Sequence, residues 1–153
     1  MCIRLKSITE TPKVVESDMI TYKVLEAVED ETTGKESYYS PLSLNRLQYN
    51  IGKLYTEPIG KTEDIHTVYE SGGFETSKCA KTTTGLYSYK DIDIAVLSML
   101  SLKCGSSNTK YKIFRCKIPK ESKYYSASKG GEIVSDNLEI VNQVSLLNYP
   151  KKV

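Results

Sequence analysis

Seven basic residues (Lys110, Lys112, Arg115, Lys117, Lys120, Lys123 and Lys129) crowd one stretch of this chain against a single acid, Glu121, with Tyr111, Phe114, Tyr124 and Tyr125 interleaved. Cations set among aromatic rings suit a nucleotide: a ring stacks the base while the cations hold its phosphates. Strand alternation places Tyr111, Ile113, Arg115 and Lys117 on one face and Lys112, Phe114, Cys116 and Ile118 on the other, so Arg115 projects beside Tyr111. Arg115 carries extra weight because the chain has only three arginines (Arg4, Arg46 and Arg115), and a guanidinium grips phosphate with two parallel hydrogen bonds. An exposed strand face whose lysines serve only solubility is the competing account of the same residues.

Other candidates are weaker. Glu132 opens the segment Glu132-Ile133-Val134-Ser135 directly after Gly130-Gly131, where a carboxylate either faces a cleft or sits exposed at a strand end. His66 is the sole histidine, falls in an expected loop and lacks a Gly-x-Ser-x-Gly elbow, so a nucleophilic dyad is set aside. Gly72-Gly73 and Gly130-Gly131 lack the context of a phosphate loop and read as turns. Cys2, Cys79, Cys104 and Cys116 lie 77, 25 and 12 residues apart, which is neither zinc nor redox spacing. Reduced, mostly buried thiols are expected, with no metal and no cofactor. The twelve tyrosines include the clusters Tyr38-Tyr39, Tyr87/Tyr89 and Tyr124-Tyr125, which line a cleft or rim a core that has no Trp and two Phe.

These residues need a scaffold, and 153 residues suffice for one domain with a real core. A single compact unit over 1–149 is expected, with a frayed tail over 150–153. The formal net charge of +2 argues against a dedicated DNA binder. It also hides an asymmetry, since residues 1–36 hold eight acids and five bases. Neither a signal peptide nor a membrane span is visible. The N-terminus lacks an apolar run, and Ile92 to Leu102 is broken by Asp93, Ser98 and Ser101. A cytoplasmic protein is expected.

Met19–Ala27, Tyr111–Ile118, Ile133–Ser135 and Leu138–Val144 read as strands, and Thr32–Lys35 as a turn. Tyr38–Pro41 reads as a short extended piece, and Gly52 as a turn within Leu42–Tyr55. Thr56–Thr84 reads as mostly loop, with one strand near His66–Tyr69. Ile92, Ala95, Val96, Met99 and Leu100 make one apolar helical stripe, predicting a helix over about 89–103 that is capped by Ser88 and Asp91 and stopped at Cys104-Gly105. The fold class is α+β: a small mixed or antiparallel sheet packed with one main helix.

The order of several motifs resembles a group of small bacteriophage-encoded proteins. The motifs are Met1-Cys2-Ile3-Arg4, Tyr22-Lys23-Val24-Leu25, Ser40-Pro41, Tyr49-x-Ile51-Gly52-Lys53-x-Tyr55, Gly85-Leu86-Tyr87-Ser88-Tyr89-Lys90, Ile118-Pro119-Lys120-x-Ser122-x-Tyr124-Tyr125 and Glu132-Ile133-Val134-Ser135-Asp136. The layout is also distantly similar to compact ADP-ribosyltransferase-like folds. That likeness implies a nucleotide cleft faced by Tyr22, Tyr87, Ser88, Tyr89 and Glu132, with Lys90 beside them. The implied role is anti-defence: non-catalytic sequestration of a cyclic oligonucleotide or an NAD-derived signal such as cyclic ADP-ribose, in the host cytoplasm, by a chain that forms homo-oligomers. Two alternatives stay open. One is an ADP-ribosyltransferase-like enzyme using Glu132 on a host protein. The other is a protein-only inhibitor that docks on a host defence factor.

Overall fold

The computed structural model describes residues 3–41, 47–105, 108–127 and 130–147, and for His66, Val68 and Glu70 the backbone alone. Cys2, Leu44, Lys129 and the expected tail over 150–153 lie outside the described residues.

Two long strands made of β-branched and aromatic residues form the centre. They are β3 (Met19–Glu29) and β10 (Lys110–Ile118), paired antiparallel from Met19 opposite Ile118 to Ala27 opposite Lys110. Neighbours extend the sheet in the order β2 (Lys13–Val14), β11 (Lys123–Ser126), β12 (Glu132–Ser135), β9 (Leu86–Tyr89), β3, β10, β13 (Asn137–Gln143), β6 (Leu54–Thr56). β4 (Glu36–Tyr39) pairs with the far half of β3, and β5 (Gln48–Tyr49) pairs with β4. The resulting sheet has ten strands, larger than the small one expected, and every described pairing in it is antiparallel.

The sheet curls. Its inner face buries Val15, Leu25, Tyr49, Leu86, Phe114, Cys116, Ile118, Ile133, Leu138 and Ile140 in one cluster, with Tyr124 and Tyr55 packed against it from opposite ends of the strand order. On the outer face, α1 (Ile92–Gly105) covers Val24, Tyr89, Tyr111 and Ile113 with Ala95 and Met99. Alternation in β10 therefore runs as the sequence predicts. Tyr111 and Ile113 face the helix, while Phe114, Cys116 and Ile118 face the inner core.

Two expectations need correction. The helix begins at Ile92, because Leu86–Tyr89 is taken by β9; Ser88 is a strand residue and caps nothing. The carbonyl of Asp91 accepts the Ala95 N–H at 3.3 Å, which puts Asp91 at the helix start. Leu100, expected on the apolar stripe, is half exposed. The second correction concerns Thr56–Thr84, which is no loop. β7 (Gly60–Glu70) and β8 (Gly73–Thr84) form a long hairpin, with β1 (Arg4–Leu5) beside β8 in a three-stranded sheet. Its turn is Ser71-Gly72, with φ of 48° and 83°, the two positive values that a tight hairpin turn with right-handed strand twist requires. The strand signal is weak in sequence because much of the hairpin is exposed, so its residues need not alternate apolar with polar.

Gly85 joins the two sheets at φ 134°, where a Cβ would overlap Val134 Cγ2. Gly85→Ala is expected to cost about 2 kcal/mol in urea unfolding, from backbone strain plus overpacking. A loss below about 0.5 kcal/mol, the range of an ordinary surface change, would show that this junction carries no strain.

Candidate functional site

Long-range strand register brings four of the sequence-nominated residues into one row. Arg115 on β10 lies opposite Tyr22 on β3, Tyr22 opposite Tyr89 on β9, and Tyr89 opposite Glu132 on β12. Directly opposed residues share a face, so the row crosses the outer surface of the sheet beside α1. Arg115 is exposed and has no hydrogen-bond or ion-pair partner among the described residues. Tyr22 and Glu132 are half-buried. Tyr89 is buried and its hydroxyl lies 2.8 Å from Ser98 Oγ on the helix. Burial raises its pKa, with Glu132 adding to the rise and the Ser98 contact opposing it, so the phenol stays neutral between its charged neighbours.

Lys117 stands opposite Ile20, next to Arg115 and Tyr22 on the same face, and pairs with Glu139 at 3.6 Å. Ile20, Tyr22, Arg115 and Lys117 therefore make a two-by-two patch, part apolar and part cationic, at the edge of the helix-covered cluster, against which Tyr22 packs. Lys90 is exposed at the end of β9, and its backbone N–H donates to the Gly131 carbonyl at 2.8 Å, tying the two strands beside Glu132.

Several nominated residues are not on this patch. Tyr111 is buried under α1, so its ring cannot stack beside Arg115. Tyr125 is buried against the three-stranded sheet and its hydroxyl donates to the Glu10 carbonyl at 2.9 Å. Tyr124 is half-buried and packs on the inner core. Tyr87 is half-buried, with its hydroxyl 3.0 Å from Thr82 Oγ1. Ser88 is buried on the inner face. The basic stretch is also divided. Lys112 and Lys110 sit on the opposite face and bond Glu36, Lys110 at 3.2 Å, which together with the Tyr38 hydroxyl holds the Glu36 carboxyl below its usual range. The cations left on the outer face are thus fewer than the sequence count implies.

The sequence reading missed one residue, Lys23. It sits mid-strand on β3 and faces the core, because its neighbours on that face are Thr21 and Leu25. Its Nζ donates to the Tyr87 carbonyl at 2.6 Å and lies 5.1 Å from the centre of the Tyr49 ring. Burial pushes its pKa down to about 8, while Cys116 and Glu57 pull it upward. Burial also pushes the Cys116 thiol up to about 12, Lys23 opposing, so that thiol is not a nucleophile at neutral pH. Thr21 Oγ1 and Ser88 Oγ, on the same inner face, are buried without a hydrogen-bond partner among the described residues. The only visible signal was a lysine at a position whose alternation points inward.

Among the described residues no three His, Cys, Asp or Glu side chains are grouped to hold a metal ion, and no helix is long and apolar enough to cross a membrane. The outer row thus offers a guanidinium without a partner among the described residues, a half-buried tyrosine and a carboxylate in sequence, a set able to hold an anionic ligand with a planar ring. Comparisons of this chain with protein-family models, with curated proteins and with solved structures find no match.

Proposed function

We propose that this chain is a non-catalytic binding protein for a small nucleotide, held on the outer sheet face with Tyr22 against the base and Arg115 and Lys117 on the phosphates. The observation that carries the reading is Arg115 directly opposite Tyr22, exposed and without an ion-pair partner among the described residues. A guanidinium with no internal partner keeps all its donors for a ligand, and the adjoining ring supplies stacking of a kind worth about 1–3 kcal/mol per base. Glu132, at the far end of the row, accepts hydrogen bonds from a ribose or a base amino group. The motif resemblance to phage-encoded proteins supports the biological role: sequestration of a cyclic oligonucleotide or of an NAD-derived signal such as cyclic ADP-ribose, in the host cytoplasm. Calorimetric titration with cyclic di- and trinucleotides and cyclic ADP-ribose tests it. Heat is expected from one of these classes, and Arg115→Ala and Tyr22→Ala should each weaken that binding roughly tenfold or more. Absence of heat from every one of them overturns the reading.

A second reading rests on Glu132, which opens a strand opposite Tyr89, itself opposite Tyr22. A strand-start carboxylate in one row with two tyrosines is what an ADP-ribosyltransferase-like site needs to polarise a ribose. On that reading, labelled NAD marks a protein in host lysate and Glu132→Gln abolishes the mark; unmarked lysate at high enzyme concentration rejects it.

A further inference from the structure

The inner face of the sheet sets three polar side chains side by side, on the opposite side of the sheet from the outer row. Lys23 lies opposite Phe114, Thr21 opposite Cys116 and Ser88 opposite Ile133, and those partners belong to the inner core, so all three point into it. Thr21 is the neighbour of Lys23 on that face of β3. Ser88 adjoins the ammonium from β9, because the carbonyl that Lys23 Nζ bonds at 2.6 Å belongs to the peptide joining Tyr87 to Ser88. Lys23 is 9%, Ser88 1% and Thr21 0% exposed. Strand pairing is interrupted here. With β10 along one edge of β3, the other edge is paired by β9 only at Tyr22 and by β4 only from Glu26. Lys23 bonds a strand carbonyl at that interval, as a backbone N–H does elsewhere in the ladder.

Donors outnumber acceptors in this cluster. A protonated lysine has three donors and no acceptor, and each hydroxyl brings one more donor. One ammonium donor meets the Tyr87 carbonyl. Thr21 Oγ1 and Ser88 Oγ have no hydrogen-bond partner among the described residues, whereas buried polar groups are nearly always paired. The charge is also uncompensated. The Tyr49 ring centre lies 5.1 Å from Nζ, and burial keeps the Cys116 thiol protonated. Glu57 acts on Lys23 from a distance but makes no ion pair with it among the described residues. A buried ammonium flanked by two unpartnered hydroxyls calls for an acceptor, and a negative one corrects the charge imbalance as well. Leu25, Phe114 and Cys116 are neighbours on this face and fully buried, which selects the smallest anions.

We infer that this cluster binds a small monovalent anion of the chloride class, held inside the sheet by the Lys23 ammonium and the hydroxyls of Thr21 and Ser88. The ion offsets part of the cost of a charged Lys23 in the core, so the folded chain is more stable with it than without it. Neither this site nor the outer row around Arg115 depends on the other.

Urea unfolding at pH 7 in about 0.5 M sodium chloride and in about 0.5 M sodium gluconate tests this, since gluconate matches the ionic strength but is too large to enter. With a dissociation constant of about 0.1 M, chloride lowers the unfolding equilibrium constant about sixfold relative to gluconate. That advantage is expected to vanish in Lys23→Met and to shrink in Thr21→Val, which keeps the shape of threonine and so the fold; circular dichroism confirms that both variants are folded. Equal stability in the two salts, the result if water alone fills the cluster, overturns the inference. So does a chloride advantage that either variant retains in full.

Discussion

Replacing Lys23 by methionine should stabilise the protein below about pH 8 and destabilise it above about pH 10.5. Burial lowers the Lys23 pKa from 10.5 to about 8, so the folded chain releases this proton before the unfolded chain does. Below pH 8 both states hold the proton, and the folded state bears the full cost of a buried ammonium. Between 8 and 10.5 the unfolded state binds more protons, so stability rises with pH across that window. A shift of this size corresponds to about 3 kcal/mol. Methionine removes that cost but also the hydrogen bond to the Tyr87 carbonyl, which is worth about 1 kcal/mol. The net gain at pH 7 is therefore about 2 kcal/mol, reversing in sign as Lys23 becomes neutral. Urea unfolding of both proteins at several pH values checks this, and taking their difference cancels the other titrating groups. A difference that does not change between pH 7 and pH 10 would mean that Lys23 reaches water in the folded state.

The largest loss is expected from Phe114→Ala. Phe114 is fully buried on the inner face, lies opposite Lys23 on β3 and meets the Tyr38 ring edge to face at 4.7 Å. Deleting a buried phenyl group forfeits its transfer free energy and leaves a cavity, typically about 3–5 kcal/mol together. The curled sheet keeps the site from collapsing, because strands on either side of β10 are pinned by their own ladders. The upper end of that range is thus expected, set against a total of about 5–15 kcal/mol for an ordinary domain. Phe114→Leu should recover more than half the loss, since it refills most of the volume. A loss under about 1 kcal/mol for the alanine variant, measured by urea unfolding, would mean that this core is loosely packed.

The central strands were legible because β3 and β10 are runs of β-branched and aromatic residues. β12 and β13 stood out between turn residues for the same reason. The helix start was not legible: Ser88 and Asp91 look like caps in sequence, and only the pairing of β9 with β12 reveals that Ser88 belongs to a strand. The hairpin was hidden by its exposure, which frees its residues from the alternation that marks a half-buried strand. At the site, Tyr22, Tyr89, Arg115 and Glu132 were each nominated, yet their adjacency depends on register between strands far apart in sequence, which local pattern does not contain. Tyr111 and Tyr125 were nominated beside the surface candidates and lie buried, because tyrosine serves cores and surfaces alike. Lys23 escaped notice because lysine is so rarely buried that its place in a strand reads as a solvated position.

The pairing of β3 with β10 also bears on how the chain comes to be folded. Residues 19–29 have no central partner until residues 110–118 have been synthesised, so the early two-thirds of the chain leaves the ribosome without the ladder that organises it. Contacts of such sequence separation are slow to close. The local β7–β8 hairpin can form at once, which makes its aromatic tip one of the first ordered apolar surfaces to appear. During that interval a nascent chain is exposed to premature association with its neighbours. That apolar tip is thus the surface to keep from premature pairing until the last third of the chain arrives.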